Sequence, residues 1–349
     1  MTVPPSVEGL PLVRGASGEA VRDLHQRLAA AGFPVAQPEV TVFTEATEAA
    51  LRRFQEHRSL IVDGRCGQDS WSALVEAGYR LGDRLLYLRR PMLRGDDVAD
   101  LQLRLGALGF DAGRVDGIFG PDSERALKDF QRNTALTTDG VCGPDVLAAL
   151  ERLGAKANGP VSVAGVRERE RLDRAPRELA GRRIALADLG GVTPVVEQLA
   201  ATLEQAGAVI QVTEGPDHSA HARAANEFDA ELFLGLAVSP DSCARLAYYA
   251  TSGFESLGGR QLAQLLRAHL RDGLDEGARS GPSDEPGAAP ELPVTGMRLG
   301  LLRETRMPAV VCHLDGTDPN VRSAVETRSE RLATQAAAAI VAWVETPAT

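Results

Sequence analysis

Two short stretches of this chain bring together residue types that could do chemistry. His218 and His221 are spaced i, i+3, so that on a helix both imidazoles would share one face and could hold a metal ion. No third ligand accompanies them, and the surrounding Gly-Pro-Asp-His-Ser-Ala-His is typical of a loop entering a helix, with Asp217 or Ser219 near its N-cap. We therefore expect structural histidines rather than a metal site in this stretch.

The second stretch is the end of an apolar run, Ala309 to Leu314, which predicts a buried strand. His313 lies there between Cys312 and Asp315. Adjacent residues of a strand point to opposite faces, so Cys312 and His313 make a poor nucleophile–base pair. The sequence favours a hydrogen-bonded structural histidine over a catalyst at this position.

The elements that must position these residues alternate between strand and helix. Strands are predicted at Arg183 to Asp188, Ala208 to Thr213, Glu231 to Val238, Arg245 to Thr251 and Ala309 to Leu314. Helices are predicted through Val195 to Ala206, through Leu262 to His269 and from about Arg322 to Val344. The segment Asp275 to Thr295, rich in Gly, Pro and acidic residues, predicts a long mobile loop. Residues 181–345 are therefore expected to form an α/β domain with a largely parallel sheet.

The first 154 residues contain an internal repeat with an offset of 76, which aligns Phe54-Gln55 with Phe130-Gln131. Each copy is predicted to form three short helices, over residues 10–80 and 91–154. In the second copy, the glycines of Val115-Asp-Gly-Ile-Phe-Gly-Pro121 are placed where a tight turn needs positive φ. The first copy has Val40-Thr41 at the corresponding turn, which must therefore differ. Residues 155–180 lose apolar periodicity and predict a linker or an exposed helical turn.

Composition excludes several classes of partner. A net charge of −10 argues against nucleic acid and anionic membrane surfaces, and no apolar run approaches the roughly 20 residues of a membrane span. The first residues have neither a basic region nor an apolar core, so no signal peptide is predicted. Cys66 and Cys142 occupy matching repeat positions and are interpreted as buried thiols in a reducing compartment, with a disulfide between them as the alternative. These features predict a cytoplasmic location.

The repeats resemble a known module. Gly109-Phe110, the turn from Val115 to Pro121 and Ala126-Leu-Lys-Asp-Phe-Gln131 together resemble the three-helix peptidoglycan-binding domain, and the first copy matches it more weakly. Most of these residues are expected to pack or to shape turns, and the pattern does not indicate which of them touch a wall ligand.

The α/β region resembles the zinc-dependent N-acetylmuramoyl-L-alanine amidases across Arg182 to Val344. The supporting residues are Arg223-Ala-Ala-Asn226, Tyr248-Tyr249 and the run Leu302-Arg303 to Pro308-Ala-Val-Val. With the paired modules in front, the chain is similar to the actinobacterial CwlM group of that family. The resemblance implies two all-α three-helix modules followed by an amidase-like α/β domain.

The same resemblance implies that the zinc site is lost. The family's first histidine ligand follows the first strand, where this chain has Asp188-Leu189-Gly190, and the loop with its glutamate ligand looks deleted. Ala237 stands in place of the second histidine, and His313 in place of the catalytic glutamate. We therefore expect no metal and no cofactor. What remains would be a degenerate active-site surface formed by Asp188, Gly190, Arg223, Asn226, Ala237, Arg303 and His313.

This pattern favours a catalytically inactive regulator or scaffold of cell-wall synthesis over an enzyme. The resemblance to the CwlM group implies as partners peptidoglycan or its cytosolic precursors and UDP-N-acetylglucosamine 1-carboxyvinyltransferase, under Ser/Thr kinase control. Thr346, which precedes Pro347, is the candidate phosphorylation site, although the tail that carries such sites in the group is short here. The alternatives are an active zinc amidase of peptidoglycan turnover and a plain peptidoglycan-binding protein.

Overall fold

A computed structural model describes residues 9–36, 38, 41–154, 163–239, 244–251, 253–278, 292–317, 321 and 325–347. The chain divides into two compact units. One comprises Met1–Arg167 with Thr251–Phe254, and the other comprises Glu168–Ala250 with Glu255–Thr349.

The first repeat forms helices α1 (Glu19–Ala30), α2 (Glu45–His57) and α3 (Gln68–Glu76). Thr44 begins α2 with a capping box, in which its side chain and that of Thr47 each accept the other's backbone N–H. The helices pack around a core of buried side chains that includes Leu24, Phe43, Leu51, Phe54 and Trp71.

The second repeat forms helices α4 (Asp96–Ala107), α5 (Pro121–Asn133) and α6 (Pro144–Gly154). Its separate core includes Leu101, Leu105, Phe119, Leu127 and Phe130. The expected positive φ is confirmed at Gly117, where φ is 69°. It is wrong at Gly120, whose φ of −99° is ordinary extended backbone, because this glycine serves as the N-cap that leads into Pro121.

Cys66 and Cys142 are buried in the two different cores as free thiols, so the disulfide alternative is wrong and the interpretation as small core residues is confirmed. Their backbones bridge to Leu12 and Leu86 in matching fashion. Burial raises the pKa of each thiol to about 12, which leaves almost no reactive thiolate at neutral pH.

The predicted linker contains more structure than the sequence indicates. Residues Val163–Arg174 form helix α7, longer than the single turn expected. The Glu168 carboxylate of α7 accepts hydrogen bonds from the Ser256 hydroxyl (2.7 Å) and the Leu257 N–H (2.8 Å). This side chain fastens α7 to the start of the helix that follows Ser256.

The remaining elements are, in chain order, β1 (Arg183–Asp188), α8 (Thr193–Gln205), β2 (Val209–Glu214), α9 (His218–Glu227), β3 (Leu232–Ser239), β4 (Arg245–Thr251), β5 (Phe254–Glu255), α10 (Leu257–Ala278), β6 (Val294–Met297), α11 (Gly300–Glu304), β7 (Ala309–Asp315) and α12 (Ser329–Glu345). All five predicted strands are present, and α8 ends before Gly207 as expected. The last helix is predicted from about Arg322; residues 321 and 325–327 are helical, and the long final helix runs over Ser329–Glu345. Of the predicted loop, residues 275–278 continue α10 and 294–295 belong to β6, while 279–291 lie outside the described residues.

The strands form one mixed sheet in the order β2-β1-β3-β7-β4-β5, with β6 paired to β4. The strands β2, β1, β3 and β7 are parallel, whereas β4 runs antiparallel to β7. Alternate side chains of β1, β3 and β7, such as Leu186, Leu234 and Val310, join α8, α10 and α12 in one core. Helices α9 and α11 pack against each other and against β2 and β7, on the other face of the sheet. Within the described part of the chain, no helix combines the length and apolar character that crossing a bilayer requires.

Candidate functional site at the carboxyl edge of the sheet

The parallel strands β1, β3 and β7 end together at one edge of the sheet. The register aligns Ala237 of β3 with His313 of β7, and His313 with Arg245 of β4. Residues paired across neighbouring strands point to the same face, so Ala237, His313 and Arg245 form one row. Leu236, Cys312 and Leu246, the neighbours of the row on those strands, belong to the core shared with α8, α10 and α12, so the row faces the α9 side.

The turn after β1 is held by Asp188, which is almost fully buried. Its carboxylate accepts hydrogen bonds from the Gly190 N–H (2.8 Å) and from the Thr193 hydroxyl. The backbone of the turn is tied to β3, because the Leu189 N–H donates to Leu236 O (2.8 Å) and Gly190 O accepts from the Val238 N–H (2.9 Å). The Asp188 carboxylate is therefore engaged in shaping this turn.

Leu189 covers part of the sheet face beside the row. A Cβ added at Gly235 would lie 2.8 Å from Leu189 Cδ1, so the leucine side chain packs directly over this glycine. An apolar side chain thus occupies the surface next to Ala237, at the turn where the resemblance to the amidases implies a histidine ligand.

His313 is half-buried, and neither of its ring nitrogens hydrogen-bonds to any residue that the structure describes. The interpretation of His313 as a hydrogen-bonded structural histidine therefore stays a prediction. Burial, and then the positive charges of Arg245 and His218, lower the pKa of His313 to about 4. The imidazole is neutral at pH 7.

The histidines of α9 have different environments. His221 is buried, with Nδ1 2.7 Å from Thr213 Oγ1 and Nε2 2.8 Å from Gly215 O. Both ring nitrogens are thus occupied, and the expectation of a structural residue is confirmed. His218 is exposed at the first position of α9, where Asp217 is the N-cap and accepts the Ala220 N–H. The two imidazoles do not form a shared metal site.

Two residues predicted for the degenerate surface lie elsewhere. The Asn226 side chain donates to Glu304 O (2.8 Å) and accepts the Arg306 N–H (2.9 Å), so it holds the segment that leads into Pro308 and the amino end of β7. Arg303 is buried on α11 in the same region. His313 is near the carboxyl end of β7, and the structure therefore does not bring Asn226 or Arg303 to it. Arg223 is exposed in the middle of α9.

The side chains at the carboxyl edge do not fit a catalytic zinc ion. Such a site needs about three nitrogen, oxygen or sulfur ligands with a position open to water. Gly190 and Ala237 have no ligand atoms, and the Asp188 carboxylate is engaged by Gly190 and Thr193. Among the residues described, no group of three or more His, Cys, Asp or Glu side chains is arranged to hold a metal.

The Phe-Gln motif of the repeats has a structural role. Gln131 is buried, donates to Asp139 Oδ1 (2.7 Å) and Val141 O (3.1 Å), and accepts the Gly140 N–H (2.9 Å). Gln55 closes the Asp63-Gly64 turn of the first repeat in the same way. These glutamines shape turns within their own modules, as expected for most of the motif.

Comparison with known proteins shows the family to which this chain belongs. The model described as "Putative peptidoglycan binding domain" matches residues 17–74 and 94–150. N-acetylmuramoyl-L-alanine amidase CwlM of Mycobacterium tuberculosis is 33% identical over 350 residues, which cover 89% of this chain and 83% of that protein. The chain belongs to the N-acetylmuramoyl-L-alanine amidase family.

Other members of this amidase family match a smaller share of the chain. N-acetylmuramoyl-L-alanine amidase CwlL of Bacillus licheniformis is 31% identical over 166 residues, 42% of this chain and 46% of that protein. The solved apo structure of the amidase Ami1 from Mycobacterium abscessus is 16% identical with a TM-score of 0.33, covering 47% of this chain and 99% of that one. The predicted resemblance and the fold class, two helical modules followed by an amidase-like domain, are confirmed.

Proposed function

We propose that this chain is a catalytically inactive member of the amidase family that binds peptidoglycan or its precursors and regulates or scaffolds cell-wall synthesis. The observation that carries the proposal is the composition of the carboxyl edge, where Leu189 covers Gly235 and the row contains Ala237 and His313. The two repeats supply the binding function, since the family model that matches them is named for peptidoglycan.

Zinc-dependent hydrolysis uses the metal to lower the pKa of a bound water and a nearby carboxylate to move protons. His313 stands where the family has that carboxylate, and with a pKa of about 4 it is a weak base at neutral pH. Among the described residues of this edge, neither the activation of a zinc-bound water nor the proton transfer has the side chains that it needs.

The second candidate is an active zinc amidase of peptidoglycan turnover, which family membership favours. Metal analysis of the purified full chain separates the two. We expect zinc well below one equivalent per chain and no peptide released from peptidoglycan, while a relative that carries the full ligand set serves as the positive control. One bound zinc per chain, with peptide release abolished by a chelator, would establish the amidase instead.

The partner and the compartment need a separate experiment. We infer cytosolic precursors and UDP-N-acetylglucosamine 1-carboxyvinyltransferase as partners, from the resemblance of the sequence to the CwlM group. Affinity enrichment from cytosolic extract should recover the transferase, whereas enrichment on whole sacculi alone would favour a plain peptidoglycan-binding protein.

Kinase control through Thr346 would act on the end of α12. Thr346 is exposed, and its hydroxyl donates to Ala342 O (2.6 Å) in the last turn. A phosphate there would remove this hydrogen bond and place negative charge at the negative end of the helix dipole. Phosphorylation is thus expected to loosen the end of α12.

A further inference from the structure

A short segment on the surface of the second repeat is held at both of its ends. At one end the backbones of Leu86 and Cys142 exchange two hydrogen bonds (2.8 and 3.3 Å). At the other end Leu93 O accepts the Phe119 N–H (2.9 Å). Leu86 and Leu93 are buried in the core of this repeat. The residues between them, 87–92, form an arm whose side chains are mostly exposed.

The first repeat has a shorter arm at the corresponding place. There Leu12 and Cys66 exchange the two hydrogen bonds (3.0 and 2.9 Å), and Ala16 O accepts the Phe43 N–H (2.8 Å). Residues 13–15 alone lie between these fixed points, so this arm has three residues against six in the second repeat. Since the first repeat builds its core with the shorter connection, the additional length of the second arm is not required by packing.

The longer arm exposes an apolar surface. Four large apolar residues in or beside the arm are 37–54% exposed, namely Leu85, Tyr87, Leu88 and Met92. Met92 lies beside Gly120, the N-cap of α5, where an added Cβ would be 3.8 Å from its Sδ. Leu85 lies beside Gly143, which precedes α6, where an added Cβ would be 3.5 Å from Leu85 Cδ2. The apolar surface therefore extends from the start of α5 to the start of α6.

The arm also carries two arginines. Arg90 is exposed and Arg89 is partly buried, and neither makes an ion pair with any residue that the structure describes. The arginine of the shorter arm is different, because Arg14 pairs with Glu48 (3.1 Å) and Glu45 (3.7 Å) of α2. The second arm thus combines exposed apolar groups with positive charge that its own module does not neutralise.

Acidic side chains at the starts of α5 and α6 do not pair with these arginines. Asp122, in the first turn of α5, pairs with Arg125 instead (2.7 Å). Asp145, in the first turn of α6, makes no ion pair within the described part of the chain. The guanidinium groups of the arm therefore remain open to an anionic group of a ligand.

We propose that the arm of the second repeat binds the muramoyl-peptide part of peptidoglycan. This inference rests on the proposed function, in which the repeats supply the binding, and the family model that matches them is named for this polymer. The C–H faces of a sugar ring pack on exposed aromatic and aliphatic side chains such as Tyr87. The peptide attached to the sugar carries carboxylates, which arginine binds with paired, charge-assisted hydrogen bonds. The first repeat lacks this combination.

The test measures two soluble probes on the full chain by titration calorimetry. One is a disaccharide-tetrapeptide muropeptide, and the other is chitotetraose, which has sugar rings without peptide. We expect saturable binding of the muropeptide and weaker binding of chitotetraose. Tyr87→Ala should lower the affinity for both probes about fivefold, since a stacking surface is lost.

The arginine variants test the carboxylate contact. Arg90→Ala should lower muropeptide affinity about tenfold and leave chitotetraose binding unchanged, because only the muropeptide carries carboxylates. Arg90→Lys, which keeps the charge without the planar fork, should give an intermediate affinity. Arg14→Ala changes the arginine of the shorter arm and is the matched control, for which both affinities should equal those of the unmodified chain.

Two results would overturn the assignment of the arm. These are muropeptide affinity that is unchanged in both Tyr87→Ala and Arg90→Ala, and an equal loss in Arg14→Ala. Thermal melting identifies any variant that fails to fold, and Arg90→Lys then decides. Binding of the unmodified chain to the muropeptide and to whole sacculi keeps the two proposals apart. Binding that these variants leave unchanged refutes only the arm, whereas no binding to either ligand refutes the binding part of the proposed function as well.

Discussion

Replacement of Gln131 by Ala tests whether the most recognisable motif of the repeats serves folding or ligand binding. The side chain is 2% exposed and makes three hydrogen bonds at 2.7, 2.9 and 3.1 Å, all within the turn from Asp139 to Val141. Gly140 is buried in this turn and lies at φ 75°, a backbone conformation that favours glycine.

The loss of stability expected for the Gln131 variant depends on which of the hydrogen-bond partners of Gln131 water can reach. The Asp139 carboxylate is exposed and can be solvated, whereas the buried Gly140 N–H loses its acceptor Gln131 Oε1, which costs about 1–3 kcal/mol. With the two other hydrogen bonds, the total loss should be about 2–4 kcal/mol. That is a large fraction of the stability of a small module.

Hydrogen exchange by mass spectrometry on the full chain measures this loss locally. The amides of Gly140 and Val141 should lose protection, and peptidoglycan affinity should fall only as far as the module unfolds. R132A, which removes a neighbouring exposed ion pair with Asp129, is the control and should change stability by less than about 0.5 kcal/mol. A Gln131 variant as stable as R132A, with weakened peptidoglycan binding, would refute the structural role and make this residue a ligand contact.

Two further predictions concern the α/β domain. The pKa of His313 is about 4 when folded against 6.5 unfolded, so the unfolded chain binds more protons between these values. Stability should therefore fall as pH drops from 6.5 to 4, by up to about 3 kcal/mol, and H313Q should remove that part of the pH dependence in urea unfolding. Asn226→Ala leaves Glu304 O and the Arg306 N–H without their side-chain partner and should cost about 2 kcal/mol in thermal melts. Arg223→Ala, on the exposed face of the same helix, should leave the melting temperature unchanged, and an equal effect of both changes would contradict the assigned role of Asn226.

Local features of the sequence determined the elements and the modules. The glycines of the Asp-Gly turns predict their own conformation, because positive φ is cheap only for glycine, and Gly117 and Gly140 adopt it. The apolar run from Ala309 to Leu314 predicts a buried strand, because its length and composition suit the middle of a sheet. Gly120 was misjudged because a glycine at an N-cap and one in a tight turn look alike in sequence.

The residues of the candidate site could be predicted only in part from the sequence. The absence of ligand atoms at Gly190 and Ala237 is a property of residue type and needs no structure. No sequence pattern marked Arg245 as a residue of the candidate site, since a single arginine at the start of a strand is common. It lies beside His313 only because β4 runs antiparallel to β7 and pairs with it from 68 positions away in the sequence.

Tertiary structure alone decided which of the predicted residues share a surface. Arg303 and His313 are ten positions apart, and the resemblance to the amidases placed both on one degenerate surface. The strand between them advances about 3.3 Å per residue, so it carries His313 to one edge of the sheet while Asn226 fastens the Arg303 region at the other. The direction of a strand separates residues that are close in sequence, and strand pairing unites residues that are distant. Neither can be derived from residue types, because both depend on the register that packing selects.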